Sequence, residues 1–217
     1  MKFTIITLYK DAIQPYLNAS ILGRAQDSKL ISIDYIDLRE FGLNKYRQVD
    51  DKPYGGGPGM ILRVDVVIPA LKSITIEDKS KTIVIITSPK GEPFNQSQAI
   101  NLSTYDHIII ICGRFEGYDD RIEQYVDRVY SIGPYVLAGG EIPALTIIES
   151  VSRLIPGVLG NPASPIDESY SDDNFEYPQY TRPNNFGGHT VPEVLINGDH
   201  QEIAKWRLGH KRNSQQS

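Results

Sequence analysis

Residues 108–144 read IIIICGRFEGYDDRIEQYVDRVYSIGPYVLAGGEIPA. The run Ile108–Cys112 is apolar at every position, as expected of a strand covered on both faces. It ends in a turn with two glycines and two charges: Gly113, Arg114, Glu116 and Gly117. A short polar helix and a second apolar strand are predicted next, followed by the pair Gly139-Gly140, which opens a long helix. Open α/β sheets bind ligands beyond the carboxyl ends of their strands. Two such ends lie within thirty-odd residues, each with glycines that let backbone approach a ligand closely. They predict one composite pocket.

Working outward, Phe3–Leu8 reads as a buried strand and Ala12–Ala19 as a short helix. Leu30–Ile36 alternates apolar and polar residues like a half-buried strand. A long loop runs from Arg39 to Met60 and contains Tyr54-Gly55-Gly56-Gly57-Pro58-Gly59. It is neither a phosphate loop, since no Gly-Lys-Ser/Thr follows, nor a dinucleotide fingerprint, since Met60 stands where a third glycine belongs. A flexible turn and a ligand loop are both open readings of it. Val64–Ile74 has helical spacing. Thr82–Thr87 is an apolar strand ending at Ser88-Pro89-Lys90-Gly91, and Asn95–Leu102 is a helix with Asn95 placed to cap it. Glu141–Leu154 is a helix with Pro143 in its first turn, where proline is tolerated. Strands alternating with helices predict an α/β domain with a mostly parallel sheet.

Composition changes after Ile155. Residues 156–180 are rich in proline and glycine, carry five carboxylates and contain no lysine or arginine, as in a linker. The expected organisation is a ligand-binding α/β domain over residues 1–160, a flexible linker over 161–176 and a small helical domain over 177–217. The final helix, about His200–Leu208, gathers Lys205, Arg207, Lys211 and Arg212 around Trp206. These cations suit a helix C-terminus, and they equally suit contact with nucleic-acid phosphates beside an aromatic ring. With a net charge of −5, a nucleic acid would have to be held by such a local patch. One cysteine, Cys112, excludes an internal disulfide and a cysteine-based metal site, in keeping with a reducing cytoplasm. The apolar runs are strand-sized, so no membrane span is expected, and the N-terminus reads as a first strand rather than a signal peptide.

Several residues could carry chemistry. Arg114 and Glu116, two apart in a glycine turn, read most simply as a local ion pair. Asp119, Asp120 and Arg121 read as helix N-terminal charges. Arg153 closes the apolar helix. Asp167, Glu168 and Ser169 lie in the linker, where a carboxylate suits a general base that is ordered when substrate binds. The histidines have no zinc spacing.

Five blocks occur in order. They are Tyr54–Met60, Cys112–Gly117, Ser131–Glu141, Val151–Gly160 and Tyr180–Pro183. Jointly they resemble the signature blocks of the bacterial tRNA (guanine-37-N1)-methyltransferases, the TrmD family, over about residues 3–208. The resemblance implies a SPOUT-type α/β domain with a trefoil knot, S-adenosylmethionine as methyl donor, and a homodimer with active sites at the interface. The substrate would be tRNA, methylated at N1 of guanosine 37. Guanine N1 must lose a proton before it can attack, so a base and a cation near O6 are required. By motif position the cation is Arg153. The base is Glu168 on strict alignment, or Asp167 if the linker shifts by one residue. The donor would be held by Ser88, Pro89, Gly113, Glu116, the run Ile132, Gly133, Pro134, Tyr135, Val136 and Leu137, and Gly139 with Gly140. Arg114, Ser169, Arg182, Lys205 and Arg207 would contact the substrate. Magnesium goes with the resemblance, although no metal cage is visible in the sequence.

The chain departs from the pattern in four places. Phe115 stands for a tyrosine, Tyr9-Lys10 for Phe-Pro, Asp167-Glu168 for Glu-Asp, and the C-terminal stretch is shorter than expected. The Asp-Glu order feeds one alternative, a non-catalytic RNA-binding relative of the same fold; a relative of that fold targeted to another RNA base is a second.

Overall fold

A computed structural model describes residues 1–160, 169–170 and 174–213. The chain divides into two compact units, Met1–Gly160 and Asn161–Ser217.

The first unit runs β1 (Lys2–Thr7), α1 (Lys10–Leu17), α2 (Ser20–Asp27), β2 (Ser32–Asp37), β3 (Asp50–Asp51), β4 (Ile61–Leu62), α3 (Val64–Lys72), β5 (Thr82–Pro93), α4 (Gln96–Leu102), β6 (His107–Ile111), β7 (Arg128–Ser131) and α5 (Glu141–Ser152). Five strands form one sheet in the order β2-β1-β6-β5-β7, and every pairing is parallel. The predicted α/β architecture with a mostly parallel sheet is therefore present.

Strand β6 lies at the centre, in register with Phe3 and Ile83 at Ile108. Its side chains alternate between two cores, as the two-residue strand period requires. Ile108, Ile110 and Cys112 join Phe3, Ile5, Ile83, Ile85 and the α1, α2, α4 and α5 residues Ile13, Leu17, Leu22, Ala99, Leu102, Ile147 and Val151. Ile109 and Ile111 face the other way, against Ile6, Ile86, Val66, Val67, Leu71 and Ile122. That two-sided burial is why Ile108–Cys112 shows no polar alternation.

The Asn95 side chain caps α4 by accepting from the Gln98 amide at 3.2 Å, as expected of an Asn at that position.

Four expectations need correction. The long loop contains the short antiparallel pair β3–β4. The short polar helix is a 3-10 turn, Asp120–Tyr125, capped by Asp119 accepting from the Arg121 amide. The second apolar strand stops at Ser131, because Gly133 adopts φ 158° and Pro134 has no amide to give a neighbour. The strand expected to end at Thr87 continues as β5 to Pro93, with its register against β7 shifting between Thr87 and Glu92.

In the second unit, β8 (Asn174–Phe175) pairs with β11 (Arg212–Asn213), and β9 (Asn185–Phe186) pairs with β10 (His189–Thr190). Its helix α6 (His200–His210) begins at Asp199, whose carboxylate accepts from the amides of Gln201 and Glu202. Among the described residues no helix is long and apolar enough to cross a membrane.

Candidate functional site

A cleft lies where β6 and β7 end, beside the register shift in β5. The middle of β5, where its register with β7 shifts after Thr87, contributes Thr87, Ser88 and Pro89, and the turn after β6 contributes Gly113–Tyr118. The segment after β7 contributes Ser131, Ile132, Gly133, Tyr135, Val136 and Leu137, and the entry to α5 contributes Gly139, Gly140 and Pro143. The space they enclose, open solvent at its mouth included, is about 710 Å³. Small-molecule sites fall in this range, at the carboxyl edge of a parallel sheet.

Every residue expected to hold the donor lines this cleft except Pro134, which is exposed beside it. Apolar side chains stand unusually open around it. Phe115 is 45% exposed, Tyr135 52%, Val136 86% and Leu137 38%. Exposed apolar groups gathered on a concavity mark a surface awaiting a partly apolar ligand. Backbone is equally accessible at the glycines. An adenine, ribose and sulfonium chain therefore fits the residue types of this cleft.

The walls are fastened from several directions. Arg114 pairs with Gly139 and the Gly140 amide donates to the Gly113 carbonyl at 2.7 Å, tying the β6 turn to the α5 entry. The Glu116 amide donates to the Met60 carbonyl and the Leu62 amide to the Gly117 carbonyl, both at 3.0 Å, so the glycine-rich loop braces the same turn. Phe115, which lines the cleft, has φ 60°, a conformation a bulky side chain rarely adopts. Tyr118 donates its hydroxyl to Glu123 at 2.9 Å and also meets Ser88. Burial, with Glu123 beside it, pushes that phenol well above its usual pKa, so it stays a donor.

Arg114 and Glu116 do not form the expected local ion pair. The Arg114 side chain turns inward to Glu141, with Nη2 3.0 Å from Oε2 and Nε donating to Oε1 at 3.2 Å. Glu141 is 4% exposed and also accepts from Thr7 Oγ1 at 2.8 Å. Sequence reasoning missed Thr7, Tyr9, Thr87, Tyr118, Tyr130 and Glu141 as parts of the site. Only Thr87, the polar end of an apolar strand, and Glu141, an acid directly after Gly-Gly, carried any local signal.

Arg153 caps the C-terminus of α5, whereas the cleft lies at the N-terminus. A helix of 12 residues rises about 18 Å. Within one chain, then, Arg153 lies about a helix length from this cleft. Asp167 and Glu168 lie outside the described residues. In the second unit Ser169 Oγ accepts from the Glu176 amide at 3.2 Å. Arg182 is exposed, Lys205 pairs with Glu202 at 2.8 Å, and Arg207 lies 4.8 Å over the Tyr177 ring. Trp206 stacks on His210, with Tyr177 and Tyr180 at its edges. Among the described residues no group of three or more His, Cys, Asp or Glu side chains could hold a metal ion.

Residues 1–217 match the family profile described as "tRNA (Guanine-1)-methyltransferase TrmD". Three curated relatives carry the name tRNA (guanine-N(1)-)-methyltransferase. The protein of Carboxydothermus hydrogenoformans is 49% identical over 208 residues, covering 95% of this chain and 81% of the relative. That of Staphylococcus carnosus is 48% identical over 212 residues, covering 97% and 86%. That of Thermus thermophilus is 45% identical over 207 residues, covering 95% and 85%. The match spans both units and includes every block that lines the cleft, so the chain belongs to the TrmD family of tRNA (guanine-1)-methyltransferases.

Proposed function

We propose that this chain transfers the methyl group of S-adenosylmethionine to N1 of guanosine 37 in tRNA, acting in the cytoplasm as a homodimer with the knotted SPOUT arrangement. The observation that carries the reading is the glycine-lined cleft with its exposed apolar rim, in a chain of this family. Bound there, the donor supplies an electrophilic methyl on a sulfonium.

The chain's own residues do the rest. Backbone groups at Ser88, Gly113, Ile132–Leu137 and Gly139–Gly140 orient the donor, while Val136, Leu137 and Phe115 cover its rings and exclude water. Glu116 faces the cleft from the braced turn and helps place donor or guanine. The guanine proton goes to a linker carboxylate, Glu168 on strict alignment or Asp167. Arg153 stabilises the negative charge that grows on O6. Since Arg153 lies a helix length from its own cleft, it serves the cleft of the second copy. That supports placing the active sites at a dimer interface, as do the exposed side chains Tyr16 and Ile142 on α1 and α5. Ser169, Arg182, Lys205 and Arg207 contact the tRNA, with Trp206 as an aromatic neighbour.

Transfer of labelled methyl to tRNA bearing guanosine 37, and none to the same tRNA bearing adenosine 37, is the expected result. Donor binding without transfer to either would favour the reading in which the Asp-Glu linker marks a non-catalytic or differently targeted RNA binder.

A further inference from the structure

We infer that Glu141 is a positioning residue for the donor: a buried carboxylate that acts through Arg114 to hold the turn after β6 against the wall of the cleft leading into α5. The inference rests on the donor reading of that cleft.

Arg114 is engaged by protein from several directions. Both guanidinium nitrogens on one edge meet Glu141, while Nη1 donates to the Ala138 carbonyl at 3.0 Å. The Tyr9 ring lies 4.2 Å from Cζ on one face. Gly139 presses on the side chain so closely that a Cβ there would come 2.4 Å from Nε and 2.6 Å from Cζ. The Arg114 side chain is only 22% exposed. An arginine held this way is committed to the fold rather than to a phosphate. It bolts Ala138 and Gly139, which precede α5, to the turn that carries Gly113, Phe115 and Glu116.

Glu141 is the anchor of that bolt. Its carboxylate sits in the first turn of α5, where the helix dipole favours an anion. Thr7, at the end of the adjacent strand β1, donates to the same oxygen that Arg114 Nε reaches. Nε donates the one hydrogen bond of the pair, to Oε1, and Nη2 stands 3.0 Å from Oε2 as an ion-pair contact, so Oε2 is satisfied by charge alone and both charge and geometry matter. Both loops that it joins line the cleft, and neither Glu141 nor Thr7 does. Losing the pair should therefore loosen the donor's walls without removing a contact to the donor.

The test is calorimetric titration of S-adenosylmethionine into the full-length protein, with methyl-transfer kinetics on tRNA in parallel. Glu141→Gln keeps size and shape and removes the charge. Donor affinity should fall about tenfold, with donor KM rising likewise and kcat at saturating donor within about threefold. Arg114→Lys should do the same, and the double variant should be no worse than the weaker single, because the two act as one unit. A purely structural role would lower Tm and leave the affinity of the folded protein unchanged. That result, or additive effects in the double variant, would overturn the inference. Should Glu141→Gln fail to fold, Thr7→Val removes one bond to the same carboxylate and should weaken donor binding about threefold. Unchanged affinity in Thr7→Val would then refute the proposal. Absence of donor binding in the unaltered protein would instead overturn the donor reading itself.

Discussion

Gly140→Ala is the sharpest probe of how the cleft is built. A Cβ at residue 140 would lie 2.3 Å from Thr87 Oγ1, 2.6 Å from the Gly113 nitrogen and 2.8 Å from Cys112 Cα. In a loose site Thr87 could rotate away, but here it is 4% exposed, and the other two atoms are backbone at the end of the central strand. The entry to α5 must move instead. That shift breaks the bond from the Gly140 amide to the Gly113 carbonyl. Overpacking costs about 1–3 kcal/mol and a lost internal hydrogen bond about 1 kcal/mol, so the expected loss is about 2–4 kcal/mol. At roughly 3 °C per kcal/mol for a chain of this size, Tm should fall by about 6–12 °C. A displacement near 1 Å of the donor wall should also lower methyl transfer by about a hundredfold. Thermal unfolding followed by circular dichroism, with transfer assayed well below Tm, reads both. Gly160→Ala is the control, since a Cβ there meets nothing within 4 Å. It should stay within about 0.5 kcal/mol of the unaltered protein. Unaltered Tm and unaltered transfer in Gly140→Ala would refute the packing described for this edge of the sheet.

Three further outcomes are expected. His107 is held below its ordinary pKa by burial, with Lys2 adding to the effect, and its Nε2 lies 2.8 Å from Thr4 Oγ1. The folded state therefore resists protonation more than the unfolded chain does. The stability tied to His107 is present above about pH 6.5 and is lost as pH falls through the lower folded value. Urea midpoints should drop less between pH 7.5 and 5 in His107→Gln than in the unaltered protein, and an equal drop would count against it. The Tyr35 hydroxyl is buried with no hydrogen-bond partner among the described residues, and burial pushes its pKa up to about 12. Tyr35→Phe should be neutral or stabilising by up to about 1 kcal/mol in chemical denaturation, and clear destabilisation would show a missed partner. Finally, mixing Arg153→Ala with Gly140→Ala chains should restore activity, because each heterodimer has one complete site. With random pairing about a quarter of all sites would be intact. No recovery would mean that Arg153 serves its own chain's cleft.

Much of the sheet was legible because β6 is buried on both faces. A run with no polar alternation leaves few other readings, and Asn95 marked the start of its helix through a local hydrogen bond. The cleft was legible where glycines close a strand, at Gly113 and at Gly139-Gly140. What sequence could not show was the direction of Arg114. Glu116 is two residues away, yet the residue between them adopts φ 60° and the Arg114 side chain turns to Glu141 instead. The true partner, Glu141, is separated by 27 residues, and Thr7 lies a further 134 residues from Glu141. No local period encodes such a meeting, which is set by β1 and β6 lying side by side. Helix α5 was legible in its apolar run, whereas no local pattern shows that its 12 residues hold Arg153 a helix length from the cleft of its own chain.

The most direct measurement is transfer of labelled methyl from S-adenosylmethionine to tRNA carrying guanosine 37, with the adenosine 37 tRNA as its pair. Transfer to the first alone, with the product identified as N1-methylguanosine, is predicted. Absence of transfer to guanosine 37 while the donor still binds would contradict the assignment.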